Sequence, residues 1–148
     1  MAIIHDKLYH SSNLARVEFD EYTRSLLRFL LYTHQTDTEV QLELDLAPIE
    51  LPLSLALPCG LILNELFCNA MKHAFAGREK GVVYISLYTD PSERFNLCVR
   101  DDGGGLPPDL NWNETKTLGL RLVKMLGEQI EAEVKVSSGD GTSFTVIF

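Results

Sequence analysis

Four residues at helical spacing, Glu65, Asn69, Lys72 and His73, have the types to do chemistry together. They stand at i, i+4, i+7 and i+8, so on a helix they share one face. A carboxylate, an amide oxygen and an ammonium side by side suit a magnesium ion and the phosphates it bridges. Hard cations take oxygen ligands, and Mg²⁺ keeps several waters beside substrate phosphates. Leu66, Phe67, Ala70 and Met71 fall elsewhere on the helix and can serve a core. The plainer alternative is the solvated polar face of an amphipathic helix.

A second group is Val99-Arg100-Asp101-Asp102-Gly103-Gly104-Gly105. An apolar strand ends in an acid and then runs into glycines. Asp101 can point into a cleft, and Gly103 and Gly105 let the backbone turn sharply beside a ligand. A carboxylate there accepts from an exocyclic amine, which favours adenine and disfavours the carbonyl oxygen of guanine. An ordinary loop turn has the same glycines. A third group, Thr117-Leu118-Gly119-Leu120, opens a helix, where free N–H groups and the dipole favour phosphate. Lys116 and Arg121 flank it with positive charge. An ordinary helix start reads the same way. The fourth, Gly141-Thr142, sits in a closing hairpin.

The elements that must position these groups follow from periodicity. Asp20 to His34 reads as a helix capped by Asp20, with Tyr22, Leu26, Leu27, Leu30 and Leu31 at helical spacing. Val40 to Leu46 alternates as a half-buried strand. A long helix runs from about Leu55 or Cys59 to Phe75, after a stretch punctuated by Pro48, Pro52 and Pro58. Gly77 and Gly81 bracket a turn. Val82 to Tyr88 and Phe95 to Asp101 read as strands joined at Asp90-Pro91-Ser92. Asp102 to Lys116 is long for a loop and suits a lid. Leu118 to Gln129 reads as a helix. Glu131 to Val136 and Ser143 to Phe148 form a hairpin about Gly139-Asp140-Gly141. This order suggests a helical layer on one mixed sheet.

Composition narrows the classes. At 148 residues, 45% hydrophobic, the chain suits one domain with one core. A net charge of −8 argues against a nucleic-acid surface. The same charge repels ATP at long range, so any attraction must be local: a metal, a few cations and backbone N–H groups. Cys59, Cys68 and Cys98 give neither a disulfide framework nor zinc spacing, as expected of a reduced, cytoplasmic protein. No signal-peptide run opens the chain. The longest apolar stretch, Leu51 to Leu63, contains prolines and is too short to span a bilayer, so no membrane contact is expected.

Taken in order, the four groups resemble the boxes of the ATP-binding superfamily of histidine kinases, DNA gyrase, the ninety-kilodalton heat-shock chaperone and the MutL mismatch-repair proteins. NELFCNAMKH is similar to its N box, DDGGG to its D-x-G-x-G box, TLGL to a shortened second glycine box, and GTSF to its final Gly-Thr motif. The resemblance runs from about Leu57 to Phe148. It implies a two-layer α/β sandwich, helices on one face of a mixed sheet, with ATP between the helices and a short lid: a Bergerat-type fold. Within the superfamily, LILNELFCNAMKHAF resembles most closely the bacterial two-component sensor histidine kinases. IIHDKLYHSSN resembles the segment that follows their dimerisation helices.

That resemblance implies roles. Asn69 matches the Mg²⁺-binding asparagine, Lys72 a phosphate-contacting position, and Asp101 the adenine-binding aspartate. Gly103 and Gly105 match the glycines of the first box, Gly119 and Leu120 belong to the second, and Thr142 matches a threonine near adenine. His73 belongs to the N box, and Lys116 joins the phosphate contacts. Glu65 stands where the superfamily's ATPases carry an acidic general base. Leu118 replaces the usual first glycine of the second box, and no separate phenylalanine box is evident. None of His5, His10, His34 and His73 sits in an acceptor motif. The expectation is therefore a catalytic fragment: residues 1–19 end a dimerisation or linker segment, and residues 20–148 form the ATP-binding domain. It would pass a γ-phosphoryl group to a histidine on a dimerisation domain, with a response regulator downstream. A clamp ATPase and a non-catalytic module or anti-sigma-factor-type serine kinase are the alternatives.

Overall fold

The computed structural model describes residues 15–34, 36–104 and 117–148. The elements are β1 (Arg16–Glu18), α1 (Phe19–Thr33), β2 (Glu39–Leu46), β3 (Glu50–Pro52), α2 (Leu53–His73), β4 (Lys80–Thr89), β5 (Phe95–Asp101), α3 (Leu118–Gln129), β6 (Glu133–Gly139) and β7 (Gly141–Ile147). Five strands form one sheet in the order β2-β4-β5-β7-β6. β2 runs parallel to β4, and every other pairing in that sheet is antiparallel, so the sheet is mixed, as expected. β1 and β3 form a separate antiparallel ribbon that the sequence did not reveal. It has three residues a side and ends on Pro52, too short for alternation to register.

Period-two alternation sets the core. Val83, Ile85 and Leu87 of β4, Leu97 and Val99 of β5, and Phe144 and Val146 of β7 are buried on one face. The helices cover that face: Ile62, Leu63, Leu66 and Phe67 of α2, Leu27 and Leu30 of α1, and Leu120 and Val123 of α3 join the same cluster. α2 packs against both α1 and α3.

Several boundaries differ from expectation, each for a local reason. α1 begins at Phe19 with Glu18 at the cap position, so Asp20 lies in the first turn rather than capping. There it faces Arg24, 3.6 Å away and one turn on. α2 starts at Leu53 and runs through Pro58. Proline there has no N–H to give the ladder, yet the helix continues through it. The resulting 21-residue helix has a mean hydropathy of 1.4 over its most apolar window, enough by length and composition to cross a bilayer. Half of that window is buried inside the fold, as in a core helix. Gly81 lies within β4, while Gly77 takes the turn at φ 75°. Glu131 adopts φ 55°, so β6 begins at Glu133 and not at Glu131. His34 closes α1, its Nδ1 3.1 Å from the Leu30 carbonyl oxygen, as a C-terminal histidine should.

Thr23 of α1 is fully buried, and among the described residues its hydroxyl has no hydrogen-bond partner. An unpaired buried hydroxyl costs about 1–3 kcal/mol. Thr23→Val removes the orphaned group at nearly constant shape, so the urea midpoint is expected to rise. A midpoint that falls would show that the hydroxyl is satisfied in solution.

Candidate functional site

The register of the sheet creates the first half of the site. Ile85, Val99 and Phe144 form one cross-strand row, and Leu87, Leu97 and Val146 another. The next row, Val83, Asp101 and Thr142, continues the buried face but turns polar. Asp101 and Thr142 are 6% and 7% exposed, so a carboxylate and a hydroxyl sit where the pattern calls for apolar side chains. A buried charge needs partners. Asp101 Oδ1 accepts from the Gly103 N–H at 2.9 Å and the Thr142 N–H at 3.3 Å.

Burial pushes the Asp101 carboxyl above the ordinary carboxylate value. The two N–H donors and the Arg78 charge oppose the rise, and Asp102 adds to it. The folded state therefore holds this proton more tightly than the unfolded chain. Ionising Asp101 lowers stability as pH rises from the ordinary value through its own raised one.

The turn after Asp101 is bound to the end of α2. A Cβ at Gly103 would overlap the carbonyl oxygen of Ala74, and the Gly104 N–H donates to that same oxygen at 3.2 Å. Asp102 prolongs the strand pairing: its N–H donates to the Val82 carbonyl at 3.2 Å, and its Oδ1 accepts from the Val82 N–H at 2.9 Å. Arg78 meets the Asp102 carboxylate at 3.2 Å and donates to the Asp102 carbonyl. Burial alone would raise Asp102, but the Val82 N–H and Arg78 outweigh it and hold the carboxyl below its ordinary value. From the other side, Gly141 takes φ 93°, and a Cβ there would overlap the Asp101 carbonyl oxygen, so no other residue fits without moving the strand.

The second half is a cavity of about 170 Å³ between α2 and the start of α3. Glu65, Cys68, Asn69, Lys72 and His73 of α2 line it, with Thr117 and Gly119 opposite. The four chemically suited residues of the helix thus share one opening, while Leu66, Phe67, Ala70 and Met71 are buried behind them. One Glu65 carboxylate oxygen lies 2.8 Å from where a Cβ of Gly119 would stand. The first N–H groups of any α-helix lack intrahelical partners, and at the start of α3 this suits an acceptor. Leu120 is 4% exposed and belongs to the core, so any ligand contact it makes is through its backbone. Burial raises the Cys68 thiol, Glu65 raises it further, and Lys72 opposes both.

Asp101 and Thr142 are not among the residues that line this cavity. Gly105 and Lys116 lie outside the described residues, as do His5 and His10. Arg121 is exposed one turn into α3. Sequence reasoning missed Arg78 and Cys68 as site neighbours, and it took Asp102 only as the start of the loop. The repeated acid in Asp101-Asp102 was the one available signal.

Residues 56–148 match a family model described as histidine kinase-, DNA gyrase B-, and HSP90-like ATPase. The chain is 35% identical over 91 residues to blue-light-activated histidine kinase 2 of Erythrobacter litoralis, covering 62% of this chain and 26% of that protein. It is 30% identical over 143 residues to the sensor histidine kinase PdtaS of Mycolicibacterium smegmatis, covering 94% of this chain and 27% of the relative. It thus spans about a quarter of the length of these curated relatives. Among solved structures, the histidine kinase domain of an Erythrobacter litoralis blue-light activated histidine kinase superposes with a TM-score of 0.84 at 25% identity. That match covers 93% of this chain and 65% of the other.

Proposed function

Because the chain belongs to the family of histidine kinase-, DNA gyrase B- and HSP90-like ATPases, we propose that it binds Mg·ATP and donates the γ-phosphoryl group to a histidine on a dimerisation domain. The observation that carries this reading is the cavity in which Glu65, Asn69, Lys72 and His73 face the start of α3. Phosphoryl transfer asks a protein mainly to position groups and neutralise charge. Asn69 supplies an oxygen to Mg²⁺. Lys72 meets the phosphates, with His73 beside it, and the N–H groups of Gly119 and Leu120 take phosphate oxygens. Asp101 accepts from the adenine amine, Thr142 lies next to it, and Gly103 lets the turn approach the base. Lys116 adds to the phosphate contacts, and Gly105 serves with Gly103 as a glycine of the first box.

The chemistry of the donors fits magnesium. Among the described residues no three His, Cys, Asp or Glu side chains cluster as a metal site. A divalent ion held at Asn69 would take further oxygens from phosphate and water, the usual manner of Mg²⁺. The similarity to proteins named as histidine kinases favours histidine phosphorylation over the clamp-ATPase and serine-kinase alternatives. We assign residues 20–148 to the catalytic domain, with residues 1–19 leading in from the dimerisation segment. The pairing of Arg16–Glu18 with β3 would fasten that lead to the domain. A cytoplasmic location and a downstream response regulator complete the proposal.

Calorimetric titration with ATP, with and without Mg²⁺, tests it. The unaltered chain is expected to bind ATP more tightly with the metal, and Asn69→Ala to lose that difference with its fold intact. A variant whose affinity still responds fully to Mg²⁺ would place the metal elsewhere.

A further inference from the structure

The segment between α2 and β4 does more than connect them. Arg78 follows the end of α2, and its N–H donates to the Phe75 carbonyl at 3.0 Å. Its own carbonyl accepts from the Thr38 hydroxyl at 2.7 Å, and its guanidinium carbon lies 5.8 Å from the centroid of the Phe75 ring. The Thr38 hydroxyl also reaches the Phe75 carbonyl, 3.3 Å away. Backbone and side chain are thus both held, and the guanidinium is left aimed at the Asp102 carboxylate and carbonyl. Asp102 in turn grips both polar groups of Val82. The residue before it is Asp101.

We infer that Arg78 and Asp102 form a positioning pair for the adenine side of the site, fixing the turn that aims the Asp101 carboxylate at the helical layer. This rests on the proposed role of Asp101. The two members flank the same carboxylate with opposite charge. Arg78 favours its ionised form and Asp102 disfavours it. The facing residues of the neighbouring strands, Val83 and Thr142, carry no charge. The pair itself is partly open to water, its side chains 38% and 36% exposed, so its contribution to overall stability is small. Its effect is local: it sets where Asp101 points and how readily it ionises.

The test compares the unaltered chain with Arg78→Gln, Arg78→Lys and Asp102→Asn. It measures Mg·ATP affinity by calorimetry, the Asp101 titration midpoint by carboxyl carbon NMR, and thermal midpoints. Arg78→Gln is expected to weaken Mg·ATP about fivefold, the reach of a partly exposed pair, and to raise the Asp101 midpoint. Asp102→Asn is expected to weaken binding similarly but to lower the midpoint. Arg78→Lys keeps the charge and is expected to restore the midpoint. A structural role alone would not move the midpoint in opposite directions. An Asp101 midpoint unchanged in both Arg78→Gln and Asp102→Asn would overturn the inference, as would ATP affinity equal to that of an unaltered chain that binds. If the unaltered chain binds no ATP, the proposed function falls, while opposite midpoint shifts would still support the pair.

Discussion

Glu65→Gln is expected to leave Mg·ATP binding nearly unchanged and to slow phosphoryl transfer to a supplied dimerisation domain by ~10²–10⁴-fold, the span of a positioned acid or base. Glu65 lies one turn before Asn69 and lines the same cavity, with its carboxylate against Gly119 at the start of α3. A triphosphate bridging Asn69 and the N–H groups of α3 would bring its γ-phosphate to that side chain. The accepting nucleophile in a histidine kinase is an imidazole nitrogen, already largely neutral near pH 7. Full proton removal is unnecessary there. A carboxylate can instead accept from the ring's other N–H, hold the reactive tautomer and stabilise the positive charge that develops. Glutamine keeps the size and helix propensity but not the charge. Transfer at the unaltered rate, with binding unchanged, would reduce Glu65 to a residue that orders metal-bound water or faces solvent. Steady ATP hydrolysis by the chain alone, abolished in the variant, would instead assign Glu65 to activating water and revive the clamp-ATPase reading.

The parts of the site that lie on one element were legible in the sequence. Glu65, Asn69, Lys72 and His73 are related by helical spacing alone, and α2 delivers them to one cavity. The parts that depend on long-range register were not legible from spacing, and only the family resemblance named Asp101 and Thr142 together. Asp101 and Thr142 are 41 positions apart, and only the β5–β7 pairing brings the Thr142 N–H to the Asp101 carboxylate. Arg78 reaches Asp102 across 24 positions from a turn with no periodicity to read. Local rules also misled in places. Pro58 reads as a breaker but α2 runs through it, and the ribbon of β1 and β3 is shorter than any alternation can mark. The order of helices and strands survived these errors because each long element carries its own apolar stripe. The closing hairpin shifted for a different reason: the left-handed Glu131 takes up residues that an extended reading assigned to β6.

Asp101→Asn is expected to weaken ATP binding about tenfold to a hundredfold, since a buried hydrogen bond to a charged group contributes roughly 1.5–3 kcal/mol. The same change is expected not to lower stability at neutral pH. Asparagine keeps an oxygen for the Gly103 and Thr142 N–H groups, so the turn retains its two internal bonds. What it removes is a charge whose ionisation burial already disfavours. Loss of binding without loss of stability marks a residue retained for a ligand, the trade-off seen where a site departs from core rules. Base choice follows from the same atom. The carboxylate only accepts, so it suits the amino group of adenine and meets the carbonyl of guanine with repulsion; the unaltered chain should bind GTP poorly. An amide can present its N–H₂ instead, so the gap between ATP and GTP should narrow in the variant. Below the raised carboxyl value, protonation of Asp101 gives up the same acceptor, and ATP affinity of the unaltered chain should fall with acid while the asparagine variant loses this part of its pH dependence. Calorimetry with both nucleotides, at neutral and acid pH, reads the three effects on binding, and a urea midpoint reads the stability. Unchanged ATP affinity in the variant would remove Asp101 from base recognition and leave its buried charge to be explained by the turn alone.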